Sequence, residues 1–159
     1  MRYVRYSLIG ILVMVLMFSA VARNTVWKDE LTLAFDSLKK SPNNPRQMYN
    51  YALSLHKKGN LEDAILYLRR IIEMGRQTWF VYCELGAVLA DMGLYNDALY
   101  WQKKALALEE NPHIWEFIGV TYYMMGDRER ARDAFQKAIR LDKDSELANY
   151  YLQEIGDTP

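Results

Sequence analysis

His56 and His113 are the only histidines in the chain, and Cys83 is its only cysteine. Imidazole and thiolate are the side chains that bind zinc or activate nucleophiles near neutral pH. A zinc site needs several such donors together, and a nucleophilic cysteine needs a base beside it. The two histidines fall in separate stretches, with no carboxylate or cysteine at ligand spacing in either. The expectation is therefore no metal site and no catalytic residue. Cys83 lies within the apolar run VYCELGAVLADM, which predicts a packed or groove-lining thiol. No glycine-rich phosphate loop is present, so no cofactor and no small-molecule substrate are expected. Glu109-Glu110 and Asp142-Asp144 read as solvated acids at helix ends. The basic run Arg128 to Arg140 is interleaved with Asp127, Glu129 and Asp133, which predicts ion pairs within a helix. Basic and acidic residues number 20 each, and that balance argues against a nucleic-acid partner. A lone cysteine forms no intrachain disulfide and leaves the redox compartment open.

The elements that would position these residues repeat. GNLEDAILYLRRI, GLYNDALYWQKKA and GDRERARDAFQKA begin at Gly59, Gly93 and Gly126, 34 and 33 residues apart. Each carries an alanine at the same offset (Ala64, Ala98, Ala131). A second apolar run precedes each glycine: MYNYALSLHKK, VYCELGAVLADM and WEFIGVTYYMM. A fixed period of this length predicts stacked helical hairpins. Glycine inside a helix costs about 1 kcal/mol against alanine. Gly86 and Gly119 therefore predict close helix crossings, with Ala52 in the same role and Ala64, Ala98 and Ala131 facing them. Asn44-Pro45 and Asn111-Pro112 read as capped helix starts, and Thr78 as the middle one. Gly59, Gly75, Gly93 and Gly126 read as helix ends.

Over residues 45–145 the chain resembles the tetratricopeptide-repeat (TPR) family. The first-helix pattern stands as Trp115, Ile118-Gly119 and Tyr122, as Tyr82, Leu85-Gly86 and Leu89, and as Met48, Tyr51-Ala52 and Leu55. Second-helix positions follow as Ala64, Leu68 and Ile71; Ala98, Gln102 and Ala105; and Ala131, Phe135 and Ala138. The family's closing proline is replaced by Arg76, Glu110 and Lys143. The resemblance implies an all-α, right-handed solenoid of three helical hairpins over 45–78, 79–111 and 112–145. Flanking half-repeats are expected at each end. Residues 23–44 would form a connecting helix with a stripe of Trp27, Leu31, Phe35 and Leu38, ending at Ser41-Pro42. Residues 146–159 would form a cap with a polar open side. The family's concave groove maps here onto Arg46, Tyr49, Asn50, Leu53, His56, Phe80, Cys83, Glu84, Ala87, Asp91, His113, Glu116, Phe117, Val120 and Tyr123. Tyr49 and Leu53 stand where chaperone-binding relatives carry Lys and Asn. The aromatic set implies an apolar peptide or helix as ligand instead.

Ahead of the repeats, residues 1–6 form a stub and residues 7–22 (SLIGILVMVLMFSAVA) carry no charge. Two readings stand. Tyr3 to Ala22 is long enough for a single membrane-spanning helix, flanked by Tyr3, Tyr6 and Trp27 as interfacial aromatics. Alternatively, Arg2, Arg5, the apolar run and Ala20-Val21-Ala22 fit a cleaved signal peptide. Either places the repeats outside the cytoplasm. Arg23 to Arg46 is also similar to the junction where polytopic O-mannosyltransferase-type membrane proteins hand over to TPR repeats. The functional expectation is a non-enzymatic, membrane-anchored scaffold serving as a subunit or docking factor of a membrane complex. A secreted periplasmic adaptor and a repeat-domain partner of a membrane glycosyltransferase are the alternatives.

Overall fold

The computed structural model describes residues 30–157. Those residues form eight α-helices and no strand. The uncharged segment 7–22, Trp27 and the first part of the Arg23–Arg46 junction lie outside them. None of the described helices is long and apolar enough to cross a membrane. In order the helices are α1 (Glu30–Lys40), α2 (Pro45–Lys57), α3 (Leu61–Glu73), α4 (Trp79–Asp91), α5 (Tyr95–Leu108), α6 (Pro112–Met124), α7 (Arg128–Leu141) and α8 (Glu146–Asp157).

Local chemistry sets most of these limits. Asn44 Oδ1 accepts from the Arg46 amide at 3.0 Å, and Asn111 Oδ1 from the Ile114 amide at 3.2 Å. Each asparagine caps a helix whose first residue is proline. Asp127 does the same for α7 through the Arg130 amide. Thr78 departs from expectation. It occupies the cap position of α4 but its side chain makes no capping bond, and its Oγ1 is buried without a hydrogen-bond partner among the described residues. The turns after α2, α3, α4 and α6 each pivot on a glycine with φ between 74 and 84°. A side chain there would be strained.

Among the described residues, substantial contacts join only helices that are adjacent, or next but one, in the chain. The hairpins α2–α3, α4–α5 and α6–α7 are the most intimate pairs. Between first helices, α4 and α6 meet broadly while α2 and α4 meet thinly. The two interior glycines sit where helices cross. A Cβ on Gly119 would stand 2.6 Å from the Phe135 ring, and one on Gly86 2.8 Å from Gln102 Cγ and 3.0 Å from the Ala98 carbonyl oxygen. The crossing residues are thus Phe135 and Gln102 as much as the expected alanines. Gln102 continues across the next interface, donating to Thr121 Oγ1 at 2.7 Å. Phe135 is fully buried and stacks on Tyr151 of α8, with centroids 5.0 Å apart.

The flanking helices hold two further corrections. In α1 only Leu38 is buried, Leu31 is half-buried and Phe35 lies exposed against Tyr51. Among the described residues the stripe is narrower than expected, because there α1 packs chiefly on one helix, α2. In α8 the open side is not purely polar: Leu147 and Tyr150 are exposed, at 44% and 61%.

Candidate peptide-docking groove

The first helices α2, α4 and α6 carry the candidate site. Two cavities adjoin on them. The first, about 460 Å³, is lined by Tyr49, Trp79, Phe80, Ala87, His113, Glu116, Phe117, Val120 and Leu147. The second, about 550 Å³, lies at the starts of α2 and α4 and takes in Asn44, Arg46, Tyr49, Asn50, Arg76, Thr78 and Phe80. Tyr49 and Phe80 belong to both, and their rings meet edge to face with centroids 5.0 Å apart. Trp79 stacks on His113 at 6.3 Å. Burial, and then the Glu84 carboxylate, push the Tyr49 phenol up to about 12, so it stays a neutral hydrogen-bonding wall at any ordinary pH.

Nine of the expected groove residues line these two cavities: Arg46, Tyr49, Asn50, Phe80, Ala87, His113, Glu116, Phe117 and Val120. The others go elsewhere. Leu53 joins Asn50 in a smaller cavity of about 230 Å³ against Leu33 and Ala34 of α1. Cys83 is 0% exposed and packs with Ile114 and Ile118. Burial, and then the charge of Glu84, push its thiol up to about 12. It lines no groove, because its face of α4 is the one that α6 covers. Tyr123 turns toward α8, where its hydroxyl donates to Glu154 Oε1 at 2.8 Å and its ring meets Tyr151.

His56, Glu84 and Asp91 form a clasp instead of a lining. His56 Nδ1 lies 2.7 Å from Glu84 Oε1, and Nε2 lies 2.8 Å from Asp91 Oδ2. This corrects the expectation of histidines without carboxylates nearby. Both ring nitrogens face acceptors, and only the imidazolium has two N–H donors. The bond to Glu84 chiefly, with help from Asp91, raises His56 above its ordinary pKa against the opposing effect of burial. His113 is likewise met by Glu116, Nδ1 to Oε2 at 2.8 Å. Glu116 is itself nearly buried, and its other oxygen accepts from the Ser145 hydroxyl at 2.5 Å. Among the described residues no cluster of His, Cys, Asp and Glu is arranged to hold a metal ion.

Sequence reasoning missed Trp79, Leu147, Asn44, Arg76 and Thr78. Trp79 is the first residue of α4, one position ahead of the expected face. Leu147 arrives from α8, and Arg76 and Thr78 from the loop before α4.

Three family models, each described as tetratricopeptide repeat, match residues 32–77, 81–110 and 112–145. Human "Tetratricopeptide repeat protein 13" is 25% identical over 119 residues, which is 72% of this chain. The chain spans only 14% of that protein's length. Among solved structures, the thermophilic TPR protein TTC0263 of Thermus thermophilus aligns with a TM-score of 0.72 at 21% identity. The alignment covers 88% of this chain and 76% of that one. The first TPR of Spaghetti, solved with an HSP90 peptide, aligns at 0.63 and 13% identity over 70% of this chain and 90% of that one. Likeness at these identities concerns the fold alone. The similarity of Arg23–Arg46 to an O-mannosyltransferase-type junction finds no support in these matches. From residue 32 onward that stretch is claimed by the repeat itself.

Proposed function

Since this chain belongs to the tetratricopeptide-repeat family, we propose that it is a non-enzymatic docking module whose groove grips an apolar peptide or helix face. The observation that carries this is the pair of adjoining cavities walled by Tyr49, Trp79, Phe80 and Phe117. Aromatic walls around a preformed hollow supply large contact area at small ordering cost. The Spaghetti repeat domain holds a peptide, which supports the same use of this surface. A Phe80→Ala, Phe117→Ala double variant should weaken partner capture at least tenfold with helicity unchanged, taking hot-spot truncations at about 2 kcal/mol each, discounted for partial exposure. Undiminished capture would remove the groove from consideration.

The partner belongs, on this reading, to a membrane complex outside the cytoplasm. The uncharged run 7–22 supports it, as anchor or as export signal. Mild detergent extraction of a C-terminally tagged chain, followed by a native gel and intact mass, distinguishes the two. A large complex that retains residues 1–22 fits an anchored subunit. A lone chain beginning near Arg23 fits a secreted adaptor. A full-length chain free in the soluble fraction contradicts both.

A further inference from the structure

We propose that the cavity at the starts of α2 and α4 is an anion subsite, so that the groove's ligand is an apolar peptide segment carrying a carboxylate. The inference rests on the docking reading above and specifies its ligand. Among the described residues, Arg46 and Arg76 are the only charged ones lining this cavity. Both are exposed, and neither guanidinium has a carboxylate partner among the described residues. Among the described residues no Asp or Glu lines the hollow to offset them.

The backbone adds to this charge. Two helices begin at the cavity, and the first-turn amides of a helix favour an anion. Those of α2 are served by Asn44, whereas α4 receives no side-chain cap and Thr78 Oγ1 is left without a partner. Of the first helices α2, α4 and α6, only α4 thus starts without a side-chain acceptor among the described residues. Apolar surface from Ile71, Val81, Tyr49 and Phe80 completes the hollow. A carboxylate set on such surface, between guanidiniums, forms stronger hydrogen bonds than it would in open water. Neither arginine stands at Tyr49 or Leu53, where chaperone-binding relatives carry their clamp, so this would be a separate arrangement. The cavity shares its Tyr49–Phe80 wall with the aromatic cavity. One ligand can therefore place an apolar side chain in the first and its carboxylate in the second.

The test is selection of a phage-displayed random peptide library on the full chain held in mild detergent. Enrichment of Asp or Glu beside Leu, Ile or Phe is expected. A labelled peptide synthesised from that selection should bind roughly tenfold more weakly to Arg46→Ala, Arg76→Ala than to the unaltered chain, and more weakly as salt rises. The exposed Lys103→Ala should leave its affinity unchanged, and circular dichroism should be the same for all three. Apolar peptides without acidic enrichment would overturn this proposal and leave the groove standing. No enrichment at all would overturn both. Acidic peptides that bind the arginine variant as tightly would place the carboxylate elsewhere and overturn it. Binding to phosphatidylglycerol vesicles that depends on the two arginines, with peptide affinity unaffected, would assign them to lipid and also overturn it.

Discussion

His56 donates two hydrogen bonds that only its charged form can make, and one acceptor, Glu84, is only 5% exposed. Losing the imidazolium would strand that carboxylate. The fold raises His56 above its ordinary 6.5. Its stabilisation is therefore complete below the unfolded pKa and is lost as pH climbs through the raised folded one. The groups facing it are Glu84 and Asp91 from α4, with Tyr49 and Cys83 near Glu84. Replacing His56 with Gln should cost about 2 kcal/mol near pH 6, with the gap to the parent closing as pH rises, read from denaturant midpoints. A second consequence concerns Cys83. With its thiol pushed up to about 12 and fully enclosed, it should resist Ellman's reagent in the native protein and react at the unfolding rate in denaturant. The clasp was not legible in the sequence, and the reason is geometric. The two carboxylates lie 28 and 35 residues from His56, bracketing one repeat period. Stacking brings such residues together, while a search for ligand spacing looks within a turn or two of one helix.

The helix crossings, by contrast, were legible. An interior glycine is unfavourable alone, so Gly86 and Gly119 announced close approaches, and both have them. The sequence points to alanines as the opposing side chains, whereas Phe135 and Gln102 stand nearest the two glycines. At Gly119 the neighbour is Phe135, pinned from behind by Tyr151. Gly119→Ala should therefore destabilise by about 1–2 kcal/mol, overpacking outweighing the gain in helix propensity. Adding Phe135→Leu should recover part of that loss in thermal melts, because Leu leaves room for the new methyl group. The caps were legible where asparagine precedes proline and illegible at Thr78. A residue's preference for the cap position does not determine where its hydroxyl points. The last helix was also misjudged: a solvent-facing end suggested a polar face, but Leu147 is drawn on to wall the groove.

Across the whole molecule, each helix is supported by near neighbours in the chain. Repeat proteins of this kind gain stability from hairpins and from the interfaces between them. Deleting residues 146–159 should therefore strip hydrogen-exchange protection from α6 and α7, whose partner α8 is lost, and leave α2 and α3 nearly unchanged. Equal loss everywhere would mean a single cooperative unit. The groove was half legible for the same reason. Positions repeated on every first helix could be read from the period, whereas Trp79, Arg76 and Leu147 come from a helix start, a loop and a cap that do not repeat. A chain of nearest-neighbour interfaces also has a mechanical character. Tension applied between the ends of the described array passes through its junctions in series, with no strand among the described residues to share it. The first helices meet thinly between α2 and α4, where His56 bridges the gap, and no more broadly between α6 and α8. The array should pay out length one hairpin at a time, as an extensible tether rather than a rigid post.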